Sequence, residues 1–203
     1  MTRVAALLAA GGGSRFLGPV HKLLAPLGDA TVWEQALRRV TAAGFDHVVV
    51  ITGAVDLHAP TTSDDSANMT TTPPPPVVTF RHNPDWAQGQ AGSVQLAVAA
   101  ADELGADRVT IGLADQPFVT EQAWRTVADA PDNCRIVIAT YDGQPGPNPV
   151  RLDRSVWPLL PRSGDAGARH VITEHPSWVC RVACVGSSAD IDTLEDLDRW
   201  KSC

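Results

Sequence analysis

A basic surface stripe is missing from this sequence. The chain has 16 Lys and Arg residues against 23 Asp and Glu residues, a formal net charge of −7 at neutral pH. Neutralisation of a nucleic-acid backbone is therefore excluded as its main task. An acidic chain that binds an anionic nucleotide must provide its positive charge locally, from a few cations, backbone N–H groups or a divalent metal.

Long apolar runs are missing too, since no stretch approaches the roughly 18 residues of a membrane-spanning helix. The start of the chain imitates a short signal peptide with Arg3 at its head. Its apolar core is only about seven residues long, however, which favours a buried strand instead. The sequence predicts a protein of the cytoplasm with no membrane partner.

The cysteines form no C-x-x-C pair and have no nearby pair of histidines, which excludes a zinc site. They stand at Cys134, Cys180, Cys184 and Cys203. We expect scattered free thiols, which suit a reducing cytoplasm. The sequence also lacks an obvious Ser-His-Asp or Cys-His set, so it offers no covalent nucleophile.

Strand-like and helix-like segments alternate along the chain. Buried strands are predicted at 4–9, 47–52, 77–81, 108–113 and 136–140, and helices at 31–43, 93–104, 120–130, 165–174 and 193–200. Strands without polar alternation, interleaved with helices, predict an α/β fold with a mostly parallel sheet covered on both faces. With 44% hydrophobic residues, residues 1–203 are expected to form a single domain. The Thr-, Ser-, Asp- and Pro-rich segment 58–76 is expected to be a flexible insert.

The most informative segment joins the first strand to three glycines, Gly11 to Gly13, followed by Arg15, Gly18 and Lys22. Glycines after a buried strand let backbone N–H groups approach phosphate oxygens, and two cations add charge. A P-loop is excluded because Pro19 stands where its lysine should be. A dinucleotide fingerprint is excluded because Phe16 replaces its third glycine. The segment predicts a nucleotide-triphosphate loop of a third kind.

Four further groups of residues suggest chemistry, each with a plain structural alternative. Small residues from Gly89 to Ser93 allow a flat ring to approach the backbone, although Ser93 could simply cap a helix. Asp115 follows the fourth strand, where ligands of open α/β sheets bind and a carboxylate can hold Mg²⁺, although it could be a turn residue. Segments 146–152 and 164–169 could line a second-substrate pocket. Asp192 could complete a metal site or favour a helix dipole.

In their order along the chain, these segments resemble the MobA-like NTP transferases, and most closely the molybdenum cofactor cytidylyltransferases. The matching stretches are Leu8-Ala9-Ala10-Gly11…Arg15…Gly18…Lys22, Asn83-Pro84-Asp85-Trp86…Gly89, Asp115-Gln116-Pro117, Gly164-Asp165-Ala166-Gly167-Ala168-Arg169 and Asp190-Ile191-Asp192-Thr193. The resemblance implies a single Rossmann-like three-layer domain of the nucleotide-diphospho-sugar transferase type. It implies Mg²⁺-dependent attack of an acceptor phosphate on the α-phosphate of an NTP, with release of pyrophosphate.

The resemblance also implies a role for each site residue. Arg15, Lys22 and Asp115 would be catalytic, and Asp115 and Asp192 would hold Mg²⁺. The acceptor would meet Asn148, Asp165 and Arg169. The nucleotide would contact Leu8, Ala9, Ala10, Gly11, Gly12, Gly13, Gly89, Gly92 and Ser93.

The identity of the substrates follows less directly. Ala10 and Phe16 resemble the cytidylyl branch, because the guanylyl branch more often has glycine and methionine there, so CTP is favoured. The implied acceptor is molybdopterin, with an apo-molybdoenzyme or its maturation factor as the recipient of the product. Asn148-Pro149-Val150 stands where that branch usually has His-Pro-Val. Guanylyl transfer to another phospho-acid or sugar phosphate, and a non-catalytic nucleotide-binding protein of the same fold, are the alternatives.

Overall fold

A seven-stranded sheet forms the centre of the computed structural model, which describes residues 1–58 and 74–201. Its strands are β1 (Val4–Ala9), β4 (His47–Thr52), β5 (Val77–His82), β6 (Arg108–Leu113), β7 (Ile136–Tyr141), β8 (Gln144–Asp153) and β9 (Val179–Ala183); β2 (Pro26–Leu27) and β3 (Ala30–Thr31) form a small separate hairpin. The helices are α1 (Val32–Thr41), α2 (Gln90–Glu103), α3 (Glu121–Ala128), α4 (Arg169–Glu174) and α5 (Leu194–Lys201).

The sheet is mostly parallel, as its apolar strands predict. The strand order is β5-β4-β1-β6-β8-β7-β9, and β8 runs antiparallel to both of its neighbours. The five strands expected from the sequence lie where they were predicted, within one residue at their ends. Because β1 lies inside the sheet between β4 and β6, its carboxyl end delivers the glycine loop to the middle of one edge.

Helices cover both faces of the sheet, and each face has its own apolar core. In β1 the side chains alternate, with Ala5 and Leu7 in one core and Ala6 and Leu8 in the other. The first core packs against α1, α3 and α5, and the second packs against α2 and α4. At the start of α1, Glu34 accepts a hydrogen bond from the backbone N–H of Thr31, which belongs to the predicted capping box, and another from the Thr31 hydroxyl.

The expectation for the cysteines is wrong for one pair. Cys134 and Cys180 form a disulfide although they are 46 residues apart in the sequence. The pairing follows from topology, since Cys134 lies just before β7 and Cys180 lies in β9, which pairs with β7 in parallel. Cys184 is free, and Cys203 lies outside the described residues.

Residues 59–73, which make up most of the predicted insert 58–76, also lie outside the described residues. Within residues 1–58 and 74–201, no helix combines the length and the apolarity needed to cross a membrane.

Arg151 in β8 is a buried cation, with only 1% of its surface exposed. Its guanidinium donates hydrogen bonds to the backbone carbonyls of four residues that connect α3 to β7: Ala128, Ala130, Pro131 and Cys134. Burial lowers the pKa of this guanidinium below its usual range. Arg151 therefore satisfies carbonyls that would otherwise be buried without partners and fixes this connection against the sheet.

We expect Arg151→Met to lower the free energy of unfolding by about 3 kcal/mol, because it leaves several buried carbonyls unpaired. Arg154→Met is the matched control, since Arg154 is half exposed and pairs with Asp102 at the surface. Its cost should be about 0–1 kcal/mol. Urea unfolding of both variants measures the difference, and equal losses would contradict the assignment.

Candidate functional site

Four charged side chains meet at the carboxyl ends of β1 and β6. The Lys22 ammonium lies 2.6 Å from an Asp115 oxygen and 2.8 Å from an Asp192 oxygen. Arg15 contacts the other Asp192 oxygen at 2.8 Å. The structure thus brings together all four residues that were predicted to be catalytic or metal-binding, from segments that are up to 177 positions apart in the sequence.

Lys22 is largely buried in this cluster. Burial disfavours its charge, but the two carboxylates outweigh burial and raise the pKa of Lys22 above its usual value. Oδ1 of Asp115 is buried and has no hydrogen-bond partner within the described residues. An unpaired carboxylate oxygen next to a second carboxylate is a hard donor set of the kind that Mg²⁺ or Mn²⁺ prefers.

Asp190 lies beside the cluster, and its carboxylate accepts a hydrogen bond from the Gln116 amide at 2.7 Å. Desolvation raises the pKa of its carboxyl, and the negative charges of Asp115 and Asp192 raise it further. The backbone N–H of Ile191 donates to the carbonyl of Asp115 at 2.9 Å, which fixes the segment 190–192 to the end of β6.

A cavity of about 520 Å³, the loop cavity, opens between the glycine loop and the start of α2. It is lined by Leu8, Ala10, Gly11, Gly12, Ser14, Trp86, Ala87, Gly89, Gln90, Ser93, Leu113, Asp115 and Asp165. Six of the nine residues predicted to contact a nucleotide are in this set. The other three do not line it. Ala9 is in the core, a Cβ atom on Gly13 would lie 3.0 Å from His21, and a Cβ atom on Gly92 would lie 3.3 Å from Asn83.

A second cavity of about 400 Å³, the sheet cavity, adjoins the first along Leu8, Gln90 and Leu113. Its other lining residues are Val94, Ile111, Gln116, Ile138, Gly146, Asn148, Val150, Ala166, Ala168, Arg169, Ile172 and Asp190. Asn148 and Arg169, both predicted for the acceptor, lie here. Asp165, predicted with them, lies on the loop cavity instead.

The prediction that Ser93 caps α2 is wrong. The helix begins at Gln90 with Gly89 as its N-cap, so Ser93 lies in the first turn, where its buried hydroxyl accepts a hydrogen bond from the Asn83 amide at 3.0 Å. The earlier start has a packing reason. Gly89 adopts a φ of 111°, and a Cβ atom on it would lie 2.5 Å from the backbone of Gly164. This close approach lets the Ala91 N–H donate to the Gly164 carbonyl at 2.9 Å.

Gly53 and Gln116 were missed as site residues. A Cβ atom on Gly53 would lie 2.7 Å from both the Ala10 carbonyl and Cβ of Trp86, so this glycine lets three segments meet behind the loop cavity. Gly53 follows a predicted buried strand, which was the available signal. Gln116 is 1% exposed and holds the 188–190 segment through its amide. In the sequence, Gln116 stood out only as the middle residue of Asp115-Gln116-Pro117.

A family model described as the MobA-like NTP transferase domain matches residues 5–178. The purine catabolism protein PucB of Bacillus subtilis is 28% identical over 93% of this chain and 91% of that protein. The crystal structure of Rv0371c from Mycobacterium tuberculosis superposes with a TM-score of 0.76 at 25% identity, covering 100% of this chain and 98% of that one. Rv0371c has also been solved in complex with manganese, and that structure has a TM-score of 0.73 at 24% identity, covering 100% and 99% of the two chains.

We expect Gly53→Ala to lower the free energy of unfolding by about 1–3 kcal/mol, because its methyl group would collide with backbone that cannot yield easily. Gly11→Ala is the matched control in the same site, since a Cβ atom there has no neighbour within 4 Å. Its stability should stay within about 0.5 kcal/mol of the parent. Thermal unfolding of the two variants tests this, and an unchanged Gly53→Ala protein would show that the three segments are not in tight contact.

Proposed function

Because the chain belongs to the MobA-like NTP transferase family, we propose that it transfers CMP from CTP to a small phosphorylated acceptor, with molybdopterin as the favoured one. The observation that carries the proposal is the pair of adjoining cavities with the charged cluster beside them. Asp115 lines the loop cavity and Asp190 lines the sheet cavity. A nucleotide in the first and an acceptor in the second would bring their phosphates together near Lys22.

The glycine loop and its cations hold the triphosphate in this proposal. Gly11 and Gly12 line the loop cavity and let backbone N–H groups approach phosphate oxygens. Arg15 and Lys22 exchange their carboxylate partners for phosphate oxygens when the nucleotide enters. Because Lys22 is tied to two carboxylates in the free protein, its release is part of what nucleotide binding must achieve.

Asp115 and Asp192 hold the divalent metal in this proposal. The buried, unpaired Oδ1 of Asp115 supports the assignment, since such an atom is costly unless a ligand satisfies it. Within the described residues, no group of three or more His, Cys, Asp or Glu side chains could hold a metal unaided. Mg²⁺ is usually held by one or two carboxylates together with substrate phosphates. The metal supplies positive charge to the reacting phosphates.

The reaction needs positioning and charge compensation rather than a protein nucleophile. An acceptor phosphate oxygen attacks the α-phosphorus of CTP, a new P–O bond forms, and the bond to the β-phosphate bridging oxygen breaks. Pyrophosphate takes the electron pair of that bond. Lys22 and Arg15 compensate the charge that gathers on the leaving pyrophosphate. The acceptor phosphate is already ionised, so no strong base is required of the protein.

Asp115→Asn should retain the fold and lose most turnover, because a neutral amide binds a hard divalent cation weakly. Asp192→Asn should lose less. Asp56→Asn, which changes an exposed carboxylate elsewhere, serves as the control. Pyrophosphate release at saturating Mg²⁺ and Mn²⁺ titration by electron paramagnetic resonance give two independent readouts. Parent-like turnover and Mn²⁺ affinity in Asp115→Asn would refute the metal assignment.

Ala10 supports the choice of CTP over GTP. Ala10 lines the loop cavity, and its methyl group occupies space that a glycine would leave for the second ring of a purine. Phe16, the other residue that resembles the cytidylyl branch, does not line the cavity and belongs to the core. The physical argument for CTP over GTP therefore rests on the volume of the Ala10 side chain.

We expect pyrophosphate release with a higher kcat/KM for CTP than for GTP when molybdopterin is the acceptor. Ala10→Gly should move this ratio toward GTP by about tenfold, the scale expected for a small change in pocket volume. Ala42→Gly, at an exposed alanine that lines neither cavity, is the control and should leave the ratio unchanged. A parent enzyme that prefers GTP would overturn the nucleotide assignment, and no pyrophosphate release with any acceptor would overturn the function.

A further inference from the structure

The sheet cavity combines aliphatic walls with five polar side chains, those of Gln90, Gln116, Asn148, Arg169 and Asp190. Most of its wall consists of aliphatic side chains from the strands β1, β6, β7 and β8 and the helices α2 and α4, among them Leu8, Ile111, Ile138 and Ile172. The aliphatic part of this wall suits the faces of a flat ring, and the polar side chains can form hydrogen bonds with its edge. Selection among flat acceptors must come from the polar groups.

Gln116 has a fixed orientation at this cavity. Its amide nitrogen donates to the Ser188 carbonyl at 3.0 Å and to Oδ1 of Asp190 at 2.7 Å. Both partners are acceptors, so the nitrogen and not the oxygen must face them. Gln116 is 1% exposed, and its Oε1 is buried without a hydrogen-bond partner within the described residues. Its role here is to hold Asp190.

Asp190 and Asp192 have different surroundings. Asp192 contacts Lys22 and Arg15, whereas Asp190 lines the sheet cavity, and the fully buried Ile191 separates them. Only one Asp190 oxygen has a hydrogen bond from the described protein, the one from Gln116. The carboxylate therefore keeps capacity to accept a hydrogen bond from a ligand.

We propose that Asp190, positioned by Gln116, is a specificity-determining residue that accepts an N–H hydrogen bond from the ring of the acceptor. The inference rests on the proposed function and names which acceptors its second cavity selects. A ring with amide or amino N–H groups satisfies the free carboxylate oxygen. An acceptor with a carboxylate at this position, such as a phospho-acid of the phospholactate type, meets a like charge and leaves both groups unpaired.

The test compares Asp190→Asn with the parent protein in two assays. In the first, 6-hydroxymethylpterin, a ring without phosphate, is titrated into the free protein and followed by its own fluorescence. In the second, pyrophosphate release from CTP is measured with molybdopterin and with 2-phospholactate. Asp142→Asn, which changes an exposed carboxylate in the turn between β7 and β8, is the matched control. Mn²⁺ affinity is measured for each variant to detect any disturbance of the metal site.

Asp190→Asn should weaken pterin binding and raise the KM for molybdopterin by about tenfold or more, since hydrogen bonds to charged groups have this strength. The KM for CTP and the Mn²⁺ affinity should stay at the parent values, and discrimination against 2-phospholactate should shrink. Gln116→Met, which removes both bonds to the 188–190 segment, should raise the same acceptor KM and leave the KM for CTP unchanged. If Gln116 only stabilised the local structure, Gln116→Met would instead change the KM for CTP as well as the KM for the acceptor.

The outcomes separate the two proposals. A parent that turns over molybdopterin, with an unchanged acceptor KM in Asp190→Asn, overturns the inference and leaves the proposed function intact. A parent that releases no pyrophosphate with any acceptor refutes the proposed function. The pterin titration then decides the inference by itself, because equal dissociation constants in the parent and Asp190→Asn, or no pterin binding by the parent, overturn it.

Discussion

The site depends on the two salt bridges that Lys22 makes, one to Asp115 and one to Asp192. Lys22 follows the glycine loop, Asp115 ends β6, and Asp192 precedes α5. Two carboxylates held this close would repel each other, and the buried ammonium between them offsets that repulsion. The arrangement also joins three distant parts of the chain at one edge of the sheet. Both cavities lie next to this cluster, since Asp115 lines the loop cavity and Asp190, two residues from Asp192, lines the sheet cavity.

The parallel half of the fold could be predicted because each strand is a short apolar run that ends in a turn or loop. The Val48 to Ile51 run is buried throughout, and nothing in it competes with a strand. The antiparallel strand β8 could not be predicted in this way. It contains Pro145, Pro147 and Pro149, which indicate a loop. The prolines are tolerated because β8 pairs with β6 only from Val150 to Asp153, and the proline-containing part pairs with β7 alone.

That partial pairing has a second effect, because the unpaired side of β8 borders the sheet cavity at Gly146 and Asn148.

The candidate site shows the same division between predictable and unpredictable parts. Arg15, Lys22 and Asp115 were identified because charged residues that follow strand ends indicate ligand binding, whereas Asp192 was assigned to the metal site by the family resemblance. Gln116 and Gly53 act through close packing with segments far away in the sequence. Such contacts leave no local pattern, and the Cys134–Cys180 disulfide was missed for the same reason.

The distance along the chain between the charged partners has a consequence for how the protein is made. Lys22 and Asp192 are 170 residues apart, so at ribosomal rates of about 5–20 residues per second the lysine emerges roughly 10–30 seconds before this aspartate. Asp115 emerges between them and can meet Lys22 as soon as β1 and β6 have paired. During synthesis the lysine therefore has one counter-ion before it has two. Asp192 therefore joins a lysine–aspartate pair that is already neutral, and its own charge is compensated by Arg15 as well as by Lys22.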